Sequence, residues 1–258
     1  MFVKIVLVDI NPKMIAAWKE TFEEHPEVEI VHGSMLEQKT SAWVSPTNSA
    51  GRMDGGLDLV IKNHLGPAVE TRLRQEIHSK HNGVLPVGFA TCVDTGKKVP
   101  GHLISTPTMI TSSEDVSDTM NVALACAAAF QAVNMQNMQT PGSIRSVALP
   151  GLGANTGRVP AEICADLMWS GFSLFRRRTF DDFATMRKAL EEELGDLGPV
   201  TGKTQVPKIT IASTASGGNG HFVPGSIGPG LKDSDVDFDD DDDDESNDDF
   251  DDDDDSDN

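Results

Sequence analysis

The stretch V-S-P-T-N-S-A-G-R-M-D-G-G-L-D-L-V-I-K-N-H-L, at residues 44–65, decides the fold. An apolar piece, residues 42–44, leads into it and predicts a short buried strand. Its second half predicts a helix, because apolar residues recur there at the spacing of one helical face: Leu57, Val60, Ile61 and Leu65. A polar, glycine-bearing loop joins the two. The predicted order is therefore strand, loop, helix, which is typical of an α/β protein.

The loop within this stretch predicts an anion-binding site. Gly51, Gly55 and Gly56 permit positive φ and let a ligand come close to the backbone. The backbone N–H groups that open the helix favour a negative charge, as in many nucleotide sites. Asn48 and Asp58 flank the loop and are candidates for chemistry. The alternative is a structural turn, in which Asp58 complements the helix dipole and Asn48 is an ordinary turn residue.

Two further strand ends carry ligand-like residues. Asp9 and Ile10 follow a predicted strand at 3–8, and a carboxylate there can accept a hydrogen bond from an adenine amino group, although Asp also caps helices. A second glycine loop follows a predicted strand at 144–149, with these candidate ligand residues: Gly151, Gly153, Ala154, Asn155, Thr156 and Gly157. Because two facing glycine loops suit a diphosphate, the three strand ends together predict a nucleotide site.

The remainder of the chain alternates predicted strands with predicted helices. Strands are expected at 3–8, from Val28 to Ile30 with Met35 as an extension, at 84–93 with a break at Gly88, at 102–105 and at 144–149. Helices are expected from Pro12 to about Glu24, from Leu57 to Leu65, at 68–79, at 118–135 with Ser117 as the cap, from Pro160 with Ile163, Leu167 and Phe172 inward, and at 180–194. This alternation predicts a three-layer α/β/α domain with a mixed sheet.

The charge of the chain divides it into three parts. The net charge is −20 over 258 residues, but 17 Asp and 1 Glu lie within 233–258, so residues 1–232 are close to neutral. We expect a folded domain at 1–195, a Gly/Pro/Ser/Thr-rich linker at 196–232 and a disordered Asp-rich tail at 233–258. The tail either binds basic proteins or is simply a solvated end.

Several classes of function are disfavoured by composition. Three widely spaced cysteines predict reduced, buried thiols in an intracellular protein rather than a disulfide framework. His78 and His81 lack the carboxylate of a recognisable zinc site, so we expect no metal. No apolar run is long enough for a membrane span, and no secretory leader precedes the first strand, so we expect a cytoplasmic or nuclear protein. The near-neutral body predicts no direct nucleic-acid binding.

Four segments, in order, resemble the macro domain, the ADP-ribose-binding family, over about residues 3–178. They are Asp9-Ile10, P-T-N-S-A-G-R-M-D-G-G-L-D-L-V-I at 46–61, L-I-S-T-P-T-M at 103–109 and L-P-G-L-G-A-N-T-G-R-V-P at 149–160. The resemblance implies that Asp9 binds the adenine amino group beside the Ile10 backbone. It implies that Gly55, Gly56 and residues 153–157 hold the diphosphate, that Asn48 orients the distal ribose, and that Asp58 activates a water or the ribose.

The resemblance leaves the activity open between two hypotheses. The first is a hydrolase that removes phosphate from the distal ribose or cleaves a protein-linked ADP-ribosyl ester, without a metal or cofactor. The second is a non-catalytic reader of ADP-ribose, because changes from the family pattern, such as Arg52-Met53-Asp54 in the first loop, affect catalysis more than binding. A remote alternative is an S-adenosylmethionine-dependent methyltransferase, since residues 3–35 also resemble part of that fold.

Overall fold

The protein is described from a computed structural model, which covers residues 3–195. The strands are Lys4–Asp9 (β1), Val28–His32 (β2), Ala42–Ser45 (β3), Thr91–Asp94 (β4), His102–Ser105 (β5) and Ser146–Leu149 (β6). The helices are Pro12–Thr21 (α1), Gly56–Leu65 (α2), Ala68–His81 (α3), Asn121–Gln139 (α4), Ala161–Arg177 (α5) and Phe183–Leu194 (α6). The predicted linker at 196–232 and the Asp-rich tail at 233–258 lie outside the described residues.

The six strands form one mixed sheet in the order β2-β1-β6-β3-β5-β4. All neighbouring pairs are parallel except β4 with β5, which is antiparallel. The carboxyl ends of β1, β6, β3 and β5 therefore meet at one edge of the sheet, which is where ligands bind in open α/β sheets. The predicted α/β class with a mixed sheet is confirmed.

The sheet separates two hydrophobic layers. Alternate side chains of β1 enter opposite layers, as the period of a strand requires: Ile5 and Leu7 lie in one and Val6 and Val8 in the other. The first layer contains the buried faces of α1, α4, α5 and α6, and the second contains those of α2 and α3. The arrangement is the three-layer α/β/α architecture that the alternation of elements predicted.

Local signals located the start of α1 and the end of α2 correctly. The Asn11 side chain accepts a hydrogen bond from the Lys13 N–H, and Pro12 is the first helical residue, where a missing N–H costs nothing. Gly66 has φ of +98° and ends α2, because a left-handed residue cannot continue the helix. These boundaries are decided by neighbours in sequence and were therefore predictable.

The strand predicted at 84–93 is mostly a loop. Only Thr91–Asp94 pairs with β5, and residues 84–90 form no strand. The Leu85 N–H donates instead to the carbonyl of Ser49, and the Phe89 N–H closes a turn onto Pro86. Gly88, with φ of +90°, completes the bend. The segment 84–90 is thus used to support the first glycine loop, which the apolar pattern alone did not indicate.

Four smaller predictions were wrong for identifiable reasons. Met35 begins a short 3₁₀ turn rather than extending β2, because the Ser34 side chain caps it. Ser117 does not cap α4; its hydroxyl donates to Asp115, and the helix begins four residues later. Ile163 is 47% exposed, since α5 turns Cys164, Ala165 and Met168 inward instead. The α1 helix ends at Thr21 rather than near Glu24.

The three cysteines are all free, with Cys126 and Cys164 buried and Cys92 only partly buried. Burial raises the pKa of the Cys92 and Cys164 thiols to about 12, so these thiols are protonated at neutral pH. None of the helices within residues 3–195 is long and apolar enough to cross a membrane.

Candidate functional site

The meeting strand ends enclose a cavity of about 580 Å³, a size within the range of small-molecule sites. It is lined by Asp58 and by every residue that the sequence predicted as ligand-binding: Asp9, Ile10, Gly55, Gly56, Gly151, Gly153, Ala154, Asn155, Thr156 and Gly157. Of the predicted site residues, Asn48 does not line it. Residues far apart in sequence are brought together because their strands are parallel neighbours.

Asp9 links the end of β1 to the second glycine loop. Its Oδ1 accepts from the Asn11 N–H at 2.8 Å, and its Oδ2 accepts from the Gly151 N–H at 3.1 Å. A Cβ at Gly151 would lie 3.0 Å from Asp9 Oδ2, so a larger residue would require a neighbouring side chain to shift. The adjacent Ile10 side chain is 76% exposed. This end of the cavity thus combines an oriented carboxylate with an uncovered apolar side chain.

The two glycine loops face each other across the cavity. A Cβ at Gly56 would lie 3.8 Å from the Thr156 hydroxyl, whereas a Cβ at Gly55 would meet nothing within 4 Å. Gly56 has φ of +53° at the start of α2, a conformation that favours glycine. Because α2 begins at this point, its first N–H groups are available to an anion. The arrangement places the first N–H groups of α2 on the same cavity as the second glycine loop.

Asp58 is the electrostatically unusual group of the site. It lies in the first turn of α2, where Ser45 at the end of β3 donates its hydroxyl hydrogen to Asp58 Oδ1. Burial raises the pKa of Asp58 to about 7; the Ser45 hydrogen bond lowers it, and the nearby charge of Asp54 raises it. A carboxyl group whose pKa is near neutral can exchange a proton in either direction, which suits general acid–base chemistry.

Asn48 holds the first loop together. Its Nδ2 donates to the Arg52 carbonyl at 3.2 Å and to the Ser112 hydroxyl at 3.1 Å. Its Oδ1 accepts from the backbone N–H groups of Ala50 and Arg52. The side chain is 7% exposed, and its hydrogen-bonding groups are occupied by the protein. In this structure Asn48 therefore shapes the loop that carries Gly55 and Gly56.

Several lining residues were missed or misread from the sequence. Val60 was predicted to share one face of α2 with Ile61 and Leu65, but those two residues are buried, whereas Val60 is 44% exposed and lines the cavity. The polar residues Ser34 and Thr108 also line the cavity. Each lies in a loop after a strand. Thr108 belongs to the segment 103–109 that resembles the macro domain, whereas only its position after a strand end pointed to Ser34.

No group of three or more His, Cys, Asp or Glu side chains suited to a metal ion is found among residues 3–195.

Comparison with known proteins identifies the domain. The model of the family described as "Macro domain" matches residues 44–168, which include both glycine loops and Asp58. The chain belongs to the macro domain family. Asp9 precedes the matched region but lines the same cavity as its loops. The methyltransferase alternative loses its support with this assignment.

Similar proteins come from several bacteria. An uncharacterised protein of Aquifex aeolicus is 31% identical over 142 residues, which are 55% of this chain and 78% of the relative. Among solved structures, the macrodomain of Mycobacterium tuberculosis DarG is 27% identical, with a TM-score of 0.46, over 55% of this chain and 86% of that one. An Oceanobacillus iheyensis macrodomain with ADP is 14% identical, with a TM-score of 0.47, over 63% and 88%.

Proposed function

We propose that this macro domain binds ADP-ribose, or a molecule that carries it, in the 580 Å³ cavity. The observation that carries the proposal is the convergence of the Asp9 carboxylate, two facing glycine loops and the Asp58 carboxyl group on one cavity. Membership of the family supports it independently. ADP-ribose offers an adenine amino group, a diphosphate and a terminal ribose, one for each of these three features.

The sheet order supports one direction for the proposed ligand. Asp9 is the last residue of β1, and Asp58 is hydrogen-bonded to Ser45, the last residue of β3. Strand β6 lies between β1 and β3. Since neighbouring strands are about 4.8 Å apart, the two carboxyl groups belong to strand ends separated by about 10 Å. We place the adenine at the Asp9 end, the diphosphate between the loops, and the terminal ribose near Asp58.

We propose that the domain also hydrolyses its ligand, with Asp58 as general base. The ionised carboxylate takes a proton from a water molecule while the water oxygen attacks the ester carbonyl carbon or the phosphorus. The ribose oxygen leaves and takes up a proton. The proposed step requires no metal or cofactor. The raised pKa of Asp58 supports this role, because a base with a pKa near 7 is both ionised and basic enough at neutral pH.

A second candidate is a reader that binds ADP-ribose without turnover. The observation in its favour is Asn48: a residue expected to orient the ribose is engaged by the first loop. A reader uses the same cavity and needs no general base. The two candidates differ only in what Asp58 does after the ligand has bound.

Calorimetric titration with ADP-ribose, with ATP as the comparison ligand, tests the binding proposal. We expect selective binding of ADP-ribose; equal or absent binding of both would refute it. Turnover is then measured on a terminal-ribose phosphate and on a protein-linked ester. Asp58→Ala should abolish turnover but keep most of the affinity, whereas a reader shows no turnover in the wild type. The matched control is Asp181→Ala, which removes an exposed carboxylate that does not line the cavity.

A further inference from the structure

One fully buried hydroxyl group, on a residue that lines the cavity, has no hydrogen-bond partner. Five residues with hydroxyl side chains lie at or just after the carboxyl ends of β3 and β5. All five are fully buried: Ser45, Thr47, Ser105, Thr106 and Thr108. Ser45 donates to Asp58, and Thr47 bonds to Ser105. Thr106 donates to the Ala125 carbonyl at 2.9 Å. Within residues 3–195, Thr108 Oγ1 alone of these five lacks a partner.

Of these five residues, only Thr108 lines the cavity, which Asp58 also lines. The unpaired hydroxyl belongs to this residue. A buried hydroxyl without a partner is unfavourable, so native proteins pair such groups or reserve them for a ligand. The backbone of Thr108 is itself well held, since its carbonyl accepts from Asn121 Nδ2 at 2.8 Å. The unpaired side chain thus belongs to a residue whose backbone carbonyl is fixed by a hydrogen bond.

The position of Thr108 in the sheet indicates which part of a ligand it meets. It follows β5, and the parallel bridge from Asn48 to Met109 continues the pairing of β3 with β5 past this residue. β5 is three strands from β1, which is about 14 Å at the usual strand spacing. Thr108 thus follows a strand that lies farther from β1 than β3 does, and β3 ends at Ser45, the hydrogen-bond partner of Asp58.

We propose that Thr108 is a specificity-determining residue whose hydroxyl forms a hydrogen bond with a hydroxyl of the terminal ribose. The inference rests on the proposed binding of ADP-ribose. It adds the residue by which the protein distinguishes ADP-ribose from ADP. Thr108 has no solvent-exposed surface in this structure, so the contact requires a small shift of the lining. The adjacent Met109, which also lines the cavity, has a flexible side chain suited to such a shift.

The experiment compares the wild type with Thr108→Val and Thr108→Ser by calorimetric titration with ADP-ribose and with ADP. Removing one neutral hydrogen bond should weaken ADP-ribose binding by about 3- to 10-fold in Thr108→Val. Binding of ADP, which lacks the terminal ribose, should not change. Thr108→Ser keeps the hydroxyl and should bind both ligands like the wild type.

Thermal unfolding separates a ligand contact from a structural role. Thr108→Val removes an unpaired group and should unfold at the wild-type temperature or above, whereas the matched Thr106→Val loses its bond to Ala125 and should unfold at a lower temperature. Unchanged ADP-ribose affinity in a folded Thr108→Val variant would overturn the inference, as would an equal loss for ADP. Absence of ADP-ribose binding by the wild type would instead refute the proposed function, and the inference with it.

Discussion

Replacing Asp58 by Asn should change how the stability of the domain depends on pH. In the folded chain, burial raises the pKa of Asp58 to about 7, against 3.8 for a solvated carboxyl group. Between these two values the folded state binds a proton that the unfolded state has released. Linkage then requires that the free energy of unfolding falls as pH rises through this interval. Below pH 3.8 both states are protonated, and above pH 7 both are ionised, so the effect is confined to the interval.

The magnitude follows from the gap between the two pKa values. Each pKa unit corresponds to about 1.4 kcal/mol, so a gap of roughly three units amounts to about 4 kcal/mol at most. Asn keeps the size of the side chain, and its carbonyl can still accept from the Ser45 hydroxyl. Asp58→Asn should therefore be more stable than the wild type at pH 8 by up to this amount.

Urea denaturation from pH 4 to pH 8, followed by the fluorescence of the buried Trp18 and Trp43, measures the effect. The quantity to plot is the difference in free energy of unfolding between Asp58→Asn and the wild type. All other carboxyl groups, including those of the Asp-rich tail, are the same in both proteins and cancel. The difference should rise with pH up to about pH 7 and then level off.

Ser45→Ala provides a directional control. The Ser45 hydroxyl donates to the ionised carboxylate and so lowers the pKa of Asp58; without it, the pKa should rise and the interval should extend to higher pH. A difference between Asp58→Asn and the wild type that stays constant from pH 4 to pH 8 would refute the reasoning. It would mean that the Asp58 carboxyl group is solvated as in the unfolded chain.

The remaining predictions concern the loops, the reaction and the tail. If Asp58 is the general base, kcat/KM should increase with pH and reach a plateau above about pH 7; a decrease over that range would contradict the role. Asn48→Ala removes the bonds that hold the first loop and should lower the free energy of unfolding by about 1–3 kcal/mol in urea denaturation; wild-type stability would contradict this. Gly151→Ala places a Cβ 3.0 Å from Asp9 Oδ2 and from Met14 Sδ, and the resulting shift should weaken ADP-ribose binding in calorimetry; unchanged affinity would contradict this. Deleting residues 233–258 should weaken binding to a basic protein in a salt-dependent manner and leave ADP-ribose affinity unchanged; unchanged binding to the basic protein would remove a role for the tail in binding partners.

Much of the fold follows from signals that lie close together in sequence. The Asn11-Pro12 pair starts α1, and Gly55 and Gly56 are the cap and first residue of α2, because caps and turns are decided by a few adjacent backbone groups. The alternation of strands and helices specifies the layer architecture for the same reason. Strand 84–93 was mispredicted because Leu85 hydrogen-bonds to Ser49, a residue distant in sequence.

The sequence by itself determined the α/β class, the two glycine loops and the candidates Asp9 and Asp58, since each depends on residue type and local spacing. Only the tertiary structure decided what these groups do with their neighbours. The pKa of Asp58 depends on burial and on Ser45, which lies on another element. The occupied side chain of Asn48 and the unpaired hydroxyl of Thr108 likewise depend on contacts across the sheet. Burial and hydrogen-bond pairing are properties of residues brought together by folding, and sequence spacing does not encode them directly.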